Sequence, residues 1–242
     1  MTQQTARENL ASRLAGNSYP GRGLIVGQND RGRWVQVYWI MGRSANSRNR
    51  LFVLEGDTLR TEAADPSRVE DPSLIIYNAM RRLDQWFIVT NGAQTDALYA
   101  ALARGGSFVD ALGDWSYEPD APNYTPRISA MLDYRTGETW MAVIRSGPQP
   151  GGAAEQHFFR YRQMPAGAGY AVTTYKHDGT PLPAFEGAPY LLPLEGDAAR
   201  IATRYWEVLD AGNRISLAVR EIDPATGASR TEMRNRNAPH AA

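Results

Sequence analysis

The chain has 242 residues, with 26 basic and 26 acidic side chains, 43% hydrophobic residues and no cysteine. The zero net charge argues against a protein that coats nucleic acid, and the lack of cysteine excludes disulfides, thiolate nucleophiles and cysteine-ligated zinc. The composition supports a sizeable core, while no apolar run approaches the roughly 20 residues that span a bilayer. The first residues lack the layout of a signal peptide, so we expect a cytoplasmic location.

The histidines and the basic side chains further limit the kinds of binding site that the chain can form. The histidines, His157, His177 and His240, stand at no spacing typical of paired metal ligands, so we expect no metal or other cofactor; only an all-carboxylate metal site stays open. Lys176 is the only lysine, and the positive charge therefore comes from arginine, the residue suited to bidentate recognition of phosphate and carboxylate.

The first half of the chain predicts a polar helix or loose arm over 1–16, followed by short strands. Alternating side chains predict strands over 24–26 and 34–41, and the turn residues 28–32 between them indicate a hairpin. Residues 42–50 form a polar loop in this interpretation, 51–54 a short strand, 74–83 a strand or helical turn, and 86–90 a strand. Helical spacing predicts helices over 95–104 and 108–112, with Thr95 as the N-cap of the first.

The second half predicts a hairpin of strands 127–134 and 139–145, and a further strand pair formed by 157–163 and 170–175. A loop over 178–193, a helix over 198–209 and a strand over 215–222 follow. The polar tail from 223 is expected to fray in part. Many short antiparallel strands with two or three helices, without regular strand–helix alternation, predict an α+β fold rather than a doubly wound sheet.

The domain organisation predicted from these elements is a polar arm over 1–18, a single domain over 19–222 and a polar tail over 223–242. The sequence has no internal repeat and no clear linker. Residues 148–153 are the best boundary candidate, but so short a segment more often marks a hairpin tip.

One segment, 42–50 (GRSANSRNR), combines three arginines with two serines and no acidic residue. Hydroxyls, backbone N–H groups and forked guanidinium groups suit an anion such as phosphate. A solvated loop with surface arginines explains the same composition equally well, so the segment alone leaves both interpretations open.

Three other polar segments are weaker candidates. Tyr77 follows an apolar run, where a core tyrosine is the simpler explanation. The segment 90–96 (TNGAQTD) has a turn and a helix start, which together account for each of its residues. Glu118 is a candidate general base or hydrogen-bond acceptor, with Arg127 lowering its pKa or holding an anion, although a surface loop with one ion pair is an alternative. None of the standard phosphate-loop or nucleophile-elbow motifs is present.

Taken together, these segments are more specific than any one of them. They occur in a fixed order: 19–27 (YPGRGLIVG), 42–48 (GRSANSR), 77–78 (YN), 90–96 (TNGAQTD), 117–118 (YE) and 125–128 (TPRI). The ordered set resembles the archaeal-type IMP cyclohydrolases, from about Tyr19 to about Ile222. The resemblance implies a four-layer αββα sandwich of two antiparallel sheets, like that of the N-terminal-nucleophile hydrolases.

The resemblance also implies an activity in purine biosynthesis, in which the formamido group of FAICAR condenses with the neighbouring carboxamide to give IMP and water. Positioning, proton transfer and stabilisation of the formyl oxygen would dominate such a reaction, which requires no cofactor. The implied partners are the purine nucleotides FAICAR, IMP and AICAR, with no nucleic acid and no membrane, and a homo-oligomer is left open. A nucleotide-binding or regulatory protein without turnover and an amidohydrolase acting on a related carboxamide are the alternatives.

The resemblance assigns roles to ten residues of this sequence. The predicted catalytic residues are Arg48, Tyr77 and Glu118. The predicted substrate-binding residues are Arg22, Arg43, Ser44, Asn78, Asn91, Asp96 and Arg127.

Overall fold

The computed structural model describes residues 2–69 and 71–238. Met1, Glu70 and the segment 239–242, which includes His240 and the end of the predicted tail, lie outside the described residues. The helices are α1 (Thr2–Asn9), α2 (Ala45–Arg48), α3 (Gln94–Ala103), α4 (Phe108–Leu112) and α5 (Ala198–Val208), with a π-helical turn at Leu10–Ala15 and a 3-10 turn at Pro66–Arg68.

The strands form two antiparallel sheets, so the α+β prediction is confirmed. Sheet A has the spatial order β11 (Tyr190–Pro193), β10 (Ala168–Thr173), β1 (Gly23–Gln28), β2 (Trp34–Met41), β12 (Arg214–Ile222) and β13 (Ser229–Asn235). Sheet B follows chain order: β3 (Arg50–Glu55), β4 (Thr58–Ala63), β5 (Asn78–Leu83), β6 (Trp86–Thr90), β7 (Arg127–Asp133), β8 (Thr139–Ser146) and β9 (Ala154–Tyr161).

Alternation along β2 explains how sheet A uses both of its faces. Gln36 and Tyr38 point toward sheet B: the Gln36 amide donates to the Phe87 carbonyl at 2.9 Å, and the Tyr38 ring stacks on Phe52 with centroids 5.6 Å apart. Trp39, the residue after Tyr38, points to the opposite face and stacks on Tyr205 of α5 with ring centroids 6.4 Å apart. The predicted hairpin of 24–26 and 34–41 is confirmed as β1 and β2.

The main core lies between the two sheets and extends under α5, while a smaller cluster lies on the other face of sheet B. In that smaller cluster, Leu98 and Leu102 of α3 and Phe108 of α4 pack with Ile88 of β6. The predicted helices over 95–104, 108–112 and 198–209 are confirmed as α3, α4 and α5 within one residue at either end. Thr95 is not the N-cap of α3, because Ala93 holds that position and the Thr95 hydroxyl bonds to the Gly92 carbonyl inside the first turn.

The structure differs from the strand predictions at four places. Residues 157–163 and 170–175 do not pair, because β9 pairs with β8 in sheet B and β10 with β1 and β11 in sheet A. The predicted loop 178–193 contains β11, and β4 was not predicted. Part of the tail expected to fray is strand β13, which pairs with β12 along its length.

The predicted arm packs along sheet A rather than standing free of it. The Gln3 amide donates to the Ala166 carbonyl at 2.7 Å, Arg7 forms an ion pair with Glu195 at 2.7 Å, and the Asn9 amide donates to the Leu191 carbonyl at 2.9 Å. No helix in the described ranges is both long and apolar enough to cross a membrane.

Candidate active site

A cleft of about 290 Å³ opens where the start of β1 meets the connection between β2 and β3. The loop that precedes β7 and the segment that follows β10 form its other walls. Its charged lining includes Arg22, Arg43, Arg50, Glu118 and Asp120. The walls therefore come from both sheets, and the cleft exists only when the two sheets are packed together.

A glycine before β1 lets two walls of the cleft approach each other. Gly21 has a φ of 73°, a backbone conformation that residues with a Cβ rarely adopt. A Cβ at this position would lie 2.2 Å from the Thr174 hydroxyl and 2.5 Å from the Tyr175 ring. The PGRG sequence is therefore required where the chain enters β1 beside the cleft.

The floor of the cleft holds a buried ion pair. Arg22 donates from Nη1 to Glu118 Oε1 at 2.9 Å and from Nη2 to Oε2 at 2.7 Å, and its Nη1 also donates to the Asn91 carbonyl at 3.1 Å. Glu118 is 2% exposed and Arg22 8%. Two parallel bonds fix both the position and the plane of the carboxylate.

Burial and charge act in opposite directions on this pair. Burial raises the pKa of Glu118 above its ordinary value, and the facing Arg22 and Arg127 guanidinium groups offset only part of that rise. Burial alone would lower the pKa of Arg22, but the Glu118 carboxylate outweighs it and holds that pKa well above the usual range. The predicted lowering of the Glu118 pKa by Arg127 is therefore outweighed by desolvation.

Arg127 stands beside this pair and is held by three contacts. Its Nε donates to the Ser116 carbonyl at 2.9 Å, its Nη1 donates to Gln94 Oε1 at 3.1 Å, and its guanidinium lies 4.9 Å from the Trp115 ring centroid. Its Nη1 is 3.8 Å from Glu118. Burial lowers the pKa of Arg127, and Glu118 opposes that effect.

Asn91 organises the backbone under the pair rather than facing the cleft. Its side-chain oxygen accepts from the Ile128 N–H and from the Gln94 amide, both at 2.8 Å, and its own amide donates to the Pro126 carbonyl at 2.9 Å. Its side chain is fully occupied, so its contact with Arg22 is made by the main chain. Asn91 thus links the start of α3 to β7.

Tyr77 belongs to a buried pair of hydroxyls. Its hydroxyl lies 2.7 Å from that of Tyr38, and the two residues are 7% and 0% exposed. Burial raises the pKa of Tyr38 well above its ordinary value, and the neighbouring Tyr77 adds to the rise. Tyr38 therefore keeps its proton at neutral pH and can donate it to Tyr77.

At the rim, Arg43 closes one side of the mouth. Its Nη1 donates to Asp178 Oδ1 at 2.5 Å and to the Gly179 carbonyl at 3.0 Å, and its guanidinium lies 4.9 Å from the Tyr19 ring centroid. Ser44 also lines the cleft, but its hydroxyl accepts from the Ser47 N–H in a capping box at the start of α2. Arg43 is thus the more available of the two for a ligand.

Four of the ten predicted site residues line the cleft: Arg22, Arg43, Ser44 and Glu118. Three others are neighbours of the Arg22–Glu118 pair and are not part of the lining: Tyr77, Asn91 and Arg127. The remaining three lie elsewhere. Arg48 donates to Asn213 Oδ1 at 3.1 Å and lines a separate groove with Arg236, outside the cleft. The Asn78 amide donates to both oxygens of Asp96 at 3.0 Å, and Asp96 also pairs with Arg81 at 2.7 Å. The structure does not bring these residues to the cleft, and their predicted roles stay predictions.

Sequence reasoning missed several polar residues of the cleft, and it also missed Tyr38, which contacts Tyr77 and is not part of the cleft lining. Tyr38 sits in an alternating strand, where its ring is indistinguishable from a core side chain. The hydroxyl oxygens of Thr125 and Tyr175 lie 2.5 Å apart, and this hydrogen bond joins segments that are fifty residues apart in the sequence. Arg50 is the last residue of the arginine-rich loop 42–50, and the composition of that loop was the only feature of the sequence that pointed to it.

Comparisons with known proteins agree with one another. A family model described as IMP cyclohydrolase-like protein matches residues 19–227. An IMP cyclohydrolase of Methanopyrus kandleri is 33% identical over 162 residues, which cover 65% of this chain and 75% of that protein. IMP cyclohydrolases of Methanothrix thermoacetophila and Methanocaldococcus jannaschii are 27% and 30% identical, over 70% and 52% of this chain and over 80% and 61% of theirs.

Proposed function

The chain belongs to the IMP cyclohydrolase-like protein family, and we propose that its cleft closes the purine ring of FAICAR to give IMP and water. The observation that carries this proposal is the position of Glu118. Its carboxylate is 2% exposed, accepts hydrogen bonds from both Nη atoms of Arg22, and lies on the floor of a cleft of about 290 Å³. A buried, oriented acceptor is what the weakly nucleophilic carboxamide nitrogen requires.

The reaction forms one carbon–nitrogen bond and releases one water. The carboxamide nitrogen attacks the formyl carbon and loses one proton, while the formyl oxygen gains negative charge and takes up a proton. The formamido nitrogen then loses its own proton and forms a C=N bond as the C–O bond breaks, and the oxygen leaves as water with both protons. We assign Glu118 to the carboxamide N–H, as hydrogen-bond acceptor and proton acceptor. Arg22 holds that carboxylate in place, and Arg127 adds positive charge beside it.

Tyr77 is assigned to the formyl oxygen. Either hydroxyl of the Tyr38–Tyr77 pair can be the donor, and we assign that role to Tyr38, because the Tyr77 proton is then free to be donated to the developing oxyanion. Arg43 and Ser44 are assigned to substrate binding at the rim, and Asn91 supports the Arg22–Glu118 pair through its carbonyl. The predicted role of Arg48 at the reacting groups has no support from its position.

The proposal includes the finer fold implied by the resemblance, a four-layer αββα sandwich like that of the N-terminal-nucleophile hydrolases. The packing of α5 on sheet A and of α3 and α4 on the far face of sheet B supports it. A cytoplasmic location is also proposed, since nucleotides are charged and do not cross membranes unaided. An experimental structure would test the first, and fractionation of cells the second.

The test is a spectrophotometric assay of purified protein with FAICAR, following IMP formation against a control without protein, because FAICAR also cyclises slowly by itself. We expect a rate well above the control, and loss of most of it in Glu118→Gln. IMP binding by calorimetry without any acceleration would instead support a nucleotide-binding protein without turnover. Release of ammonia from a purine-like amide would support the amidohydrolase alternative.

A further inference from the structure

Arg50, at the start of β3, is a cleft residue to which no role has yet been assigned. It is 3% exposed and lines the cleft together with Tyr19 and Ser44. Its Nε donates to the Ser47 carbonyl at 2.8 Å and its Nη2 to the Met41 carbonyl at 3.2 Å. These two bonds fix the plane of the guanidinium and leave its Nη1 without a hydrogen-bond partner in the described part of the chain.

The charge of Arg50 is not matched by the protein. Within the described residues no carboxylate lies within 4.0 Å of its guanidinium, whereas Arg22 uses both Nη atoms on Glu118 and Arg43 pairs with Asp178 at the rim. A buried positive charge is costly unless an opposite charge meets it. Arg50 is thus the cleft arginine whose counter-charge is missing from the chain itself.

The surroundings of Arg50 suit a compact anion rather than a second carboxylate of the protein. Arg50, Arg22 and Arg43 line the cleft together with Tyr19, and the Arg43 guanidinium lies 4.9 Å from the Tyr19 ring centroid, so positive charge converges on this side of the cleft. Ser44 and Asn46 place further polar groups on the same lining. A phosphate dianion accepts several such bonds at once and supplies two negative charges.

We propose that Arg50 is the anchor for the phosphate group of the nucleotide, which orients the ligand with its phosphate toward the 41–50 side of the cleft and its base toward Glu118. The identity of the nucleotide rests on the proposed function, but the phosphate site itself does not. Arg50 is then the arginine through which segment 42–50 binds an anion, one of the two interpretations that the composition of that segment left open.

The alternative is that Arg50 only ties the 41–50 segment together through its two carbonyl bonds. The experiment therefore compares ligands that differ only in the phosphate. Calorimetry would measure IMP affinity, competition against IMP would measure inosine affinity, and thermal unfolding would measure stabilisation by millimolar inorganic phosphate. Arg220→Gln is the matched control, because Arg220 is also buried without a carboxylate but lies outside the cleft.

We expect Arg50→Gln to weaken IMP binding by about 10- to 100-fold, to leave inosine affinity within about twofold, and to abolish stabilisation by phosphate. Arg50→Lys keeps the positive charge but not the planar guanidinium with its paired donors, and we expect it to fold even if Arg50→Gln does not. It should lose about tenfold in IMP affinity, with no change in inosine affinity. Equal losses for IMP and inosine, or an unchanged response to phosphate, would overturn the proposal.

The two proposals can fail separately. If the wild-type protein binds phosphate and IMP through Arg50 but does not cyclise FAICAR, the proposed function fails and the phosphate site stands. If it cyclises FAICAR while Arg50→Gln discriminates IMP from inosine as the wild type does, the phosphate site fails alone.

Discussion

Arg50 and Arg220 are two arginines that are buried without a carboxylate partner among the described residues, and their surroundings differ. Arg220, in β12, is 0% exposed. Its Nη2 donates to the Asp57 carbonyl at 2.8 Å and its Nε contacts the Thr231 hydroxyl at 3.3 Å, while its Nη1 has no partner in the part of the chain that the structure describes. Burial lowers the pKa of Arg220 to about 10. Arg50, by contrast, lines the cleft.

The difference shows that a buried, unpaired arginine does not by itself indicate an anion site. The two arginines differ in whether a ligand can reach them. Arg220 is enclosed between the sheets, where it links the β3–β4 turn to β13, and no ligand reaches it. Arg50 is reached from the cleft. Changes at the cleft end should therefore alter turnover or binding, and a change at Arg220 should alter neither.

The largest expected effect is that of Glu118→Ala. It removes the proton acceptor and leaves the Arg22 charge buried and unpaired, so FAICAR turnover should fall by at least about 1,000-fold and the free energy of unfolding by about 3–5 kcal/mol. Turnover assays and urea denaturation measure the two effects. Glu118→Gln should lose the activity with a smaller loss of stability, and a fully active Glu118→Gln would rule out the role assigned to Glu118.

The tyrosine pair should show a graded loss. Tyr77→Phe should lower kcat by about 100-fold, and Tyr38→Phe by about tenfold, because Tyr38 acts only through its bond to Tyr77. KM should stay within about twofold in both. Steady-state kinetics on FAICAR decides this, and an unchanged kcat in Tyr77→Phe would refute the assignment to the formyl oxygen.

The pH dependence of activity should report Glu118. As a proton acceptor it must be ionised, and burial raises its pKa above the ordinary 4.5, so kcat/KM should fall about tenfold per pH unit below a limb that lies above that value. In Glu118→Gln, the residual rate should lack this limb. A wild-type profile that stays flat down to about pH 4 would contradict the raised pKa.

The same shift has a consequence for stability. The folded chain keeps the Glu118 proton to a higher pH than the unfolded chain does. The contribution of this group to stability is therefore fully present below the unfolded pKa and is lost as the pH rises through the folded pKa.

A smaller effect is expected at Gly92. A Cβ there would lie 2.7 Å from Gln94 Oε1 and 2.8 Å from Arg127 Nη1, so both side chains must move in Gly92→Ala. Because these are the ends of flexible side chains, the protein should fold normally and lose about fivefold in kcat/KM through displacement of Arg127. Kinetics with a melting curve tests this. Gly113→Ala is the stability control, since Gly113 has a φ of −57° and the atom nearest to its Cβ position is the Asp110 carbonyl oxygen at 3.5 Å.

The smallest effect is expected for Arg220→Met. The relieved desolvation of a buried charge should offset the lost hydrogen bonds, so the free energy of unfolding should stay within about 1 kcal/mol and turnover within about twofold of the wild type. Denaturation and the FAICAR assay measure both. A large loss of turnover in Arg220→Met would mean that Arg220 influences the cleft and that the comparison with Arg50 does not hold.

Local patterns predicted local structure well. The alternation and turn at 24–41 predicted the β1–β2 hairpin, and helical spacing predicted α3, α4 and α5. Partners across the fold have no such local signal: β9 and β10 are close in sequence and resemble a hairpin, yet the chain crosses between the sheets, with Tyr161 stacked on Tyr170 at 3.7 Å. Strand β4 was missed because its residues, TLRTEA, are mostly polar.

The candidate site was predicted in part for the same reason. Arg22 and Glu118 were both named, but no spacing indicated that they pair across 96 residues. Arg48 and Arg50 lie in the same polar segment, so its composition could not distinguish them. Arg48 ends α2 and lines the separate groove, whereas Arg50 begins β3 and lines the cleft. Tyr38 and Tyr77 illustrate a polar contact hidden within apolar patterns.

The order of the strands bears on how the protein is made. Sheet B is a meander in which each strand pairs with the next along the chain, so it can form progressively as the chain emerges from the ribosome. Sheet A cannot, because the hairpin of β1 and β2 lies between β10 and β12, which are synthesised last. Arg22 directly precedes that hairpin and Glu118 lies in the loop that leads into β7 of sheet B, so the two halves of the cleft meet only at the end of synthesis. A nascent chain would therefore carry a folded sheet B well before it could carry activity.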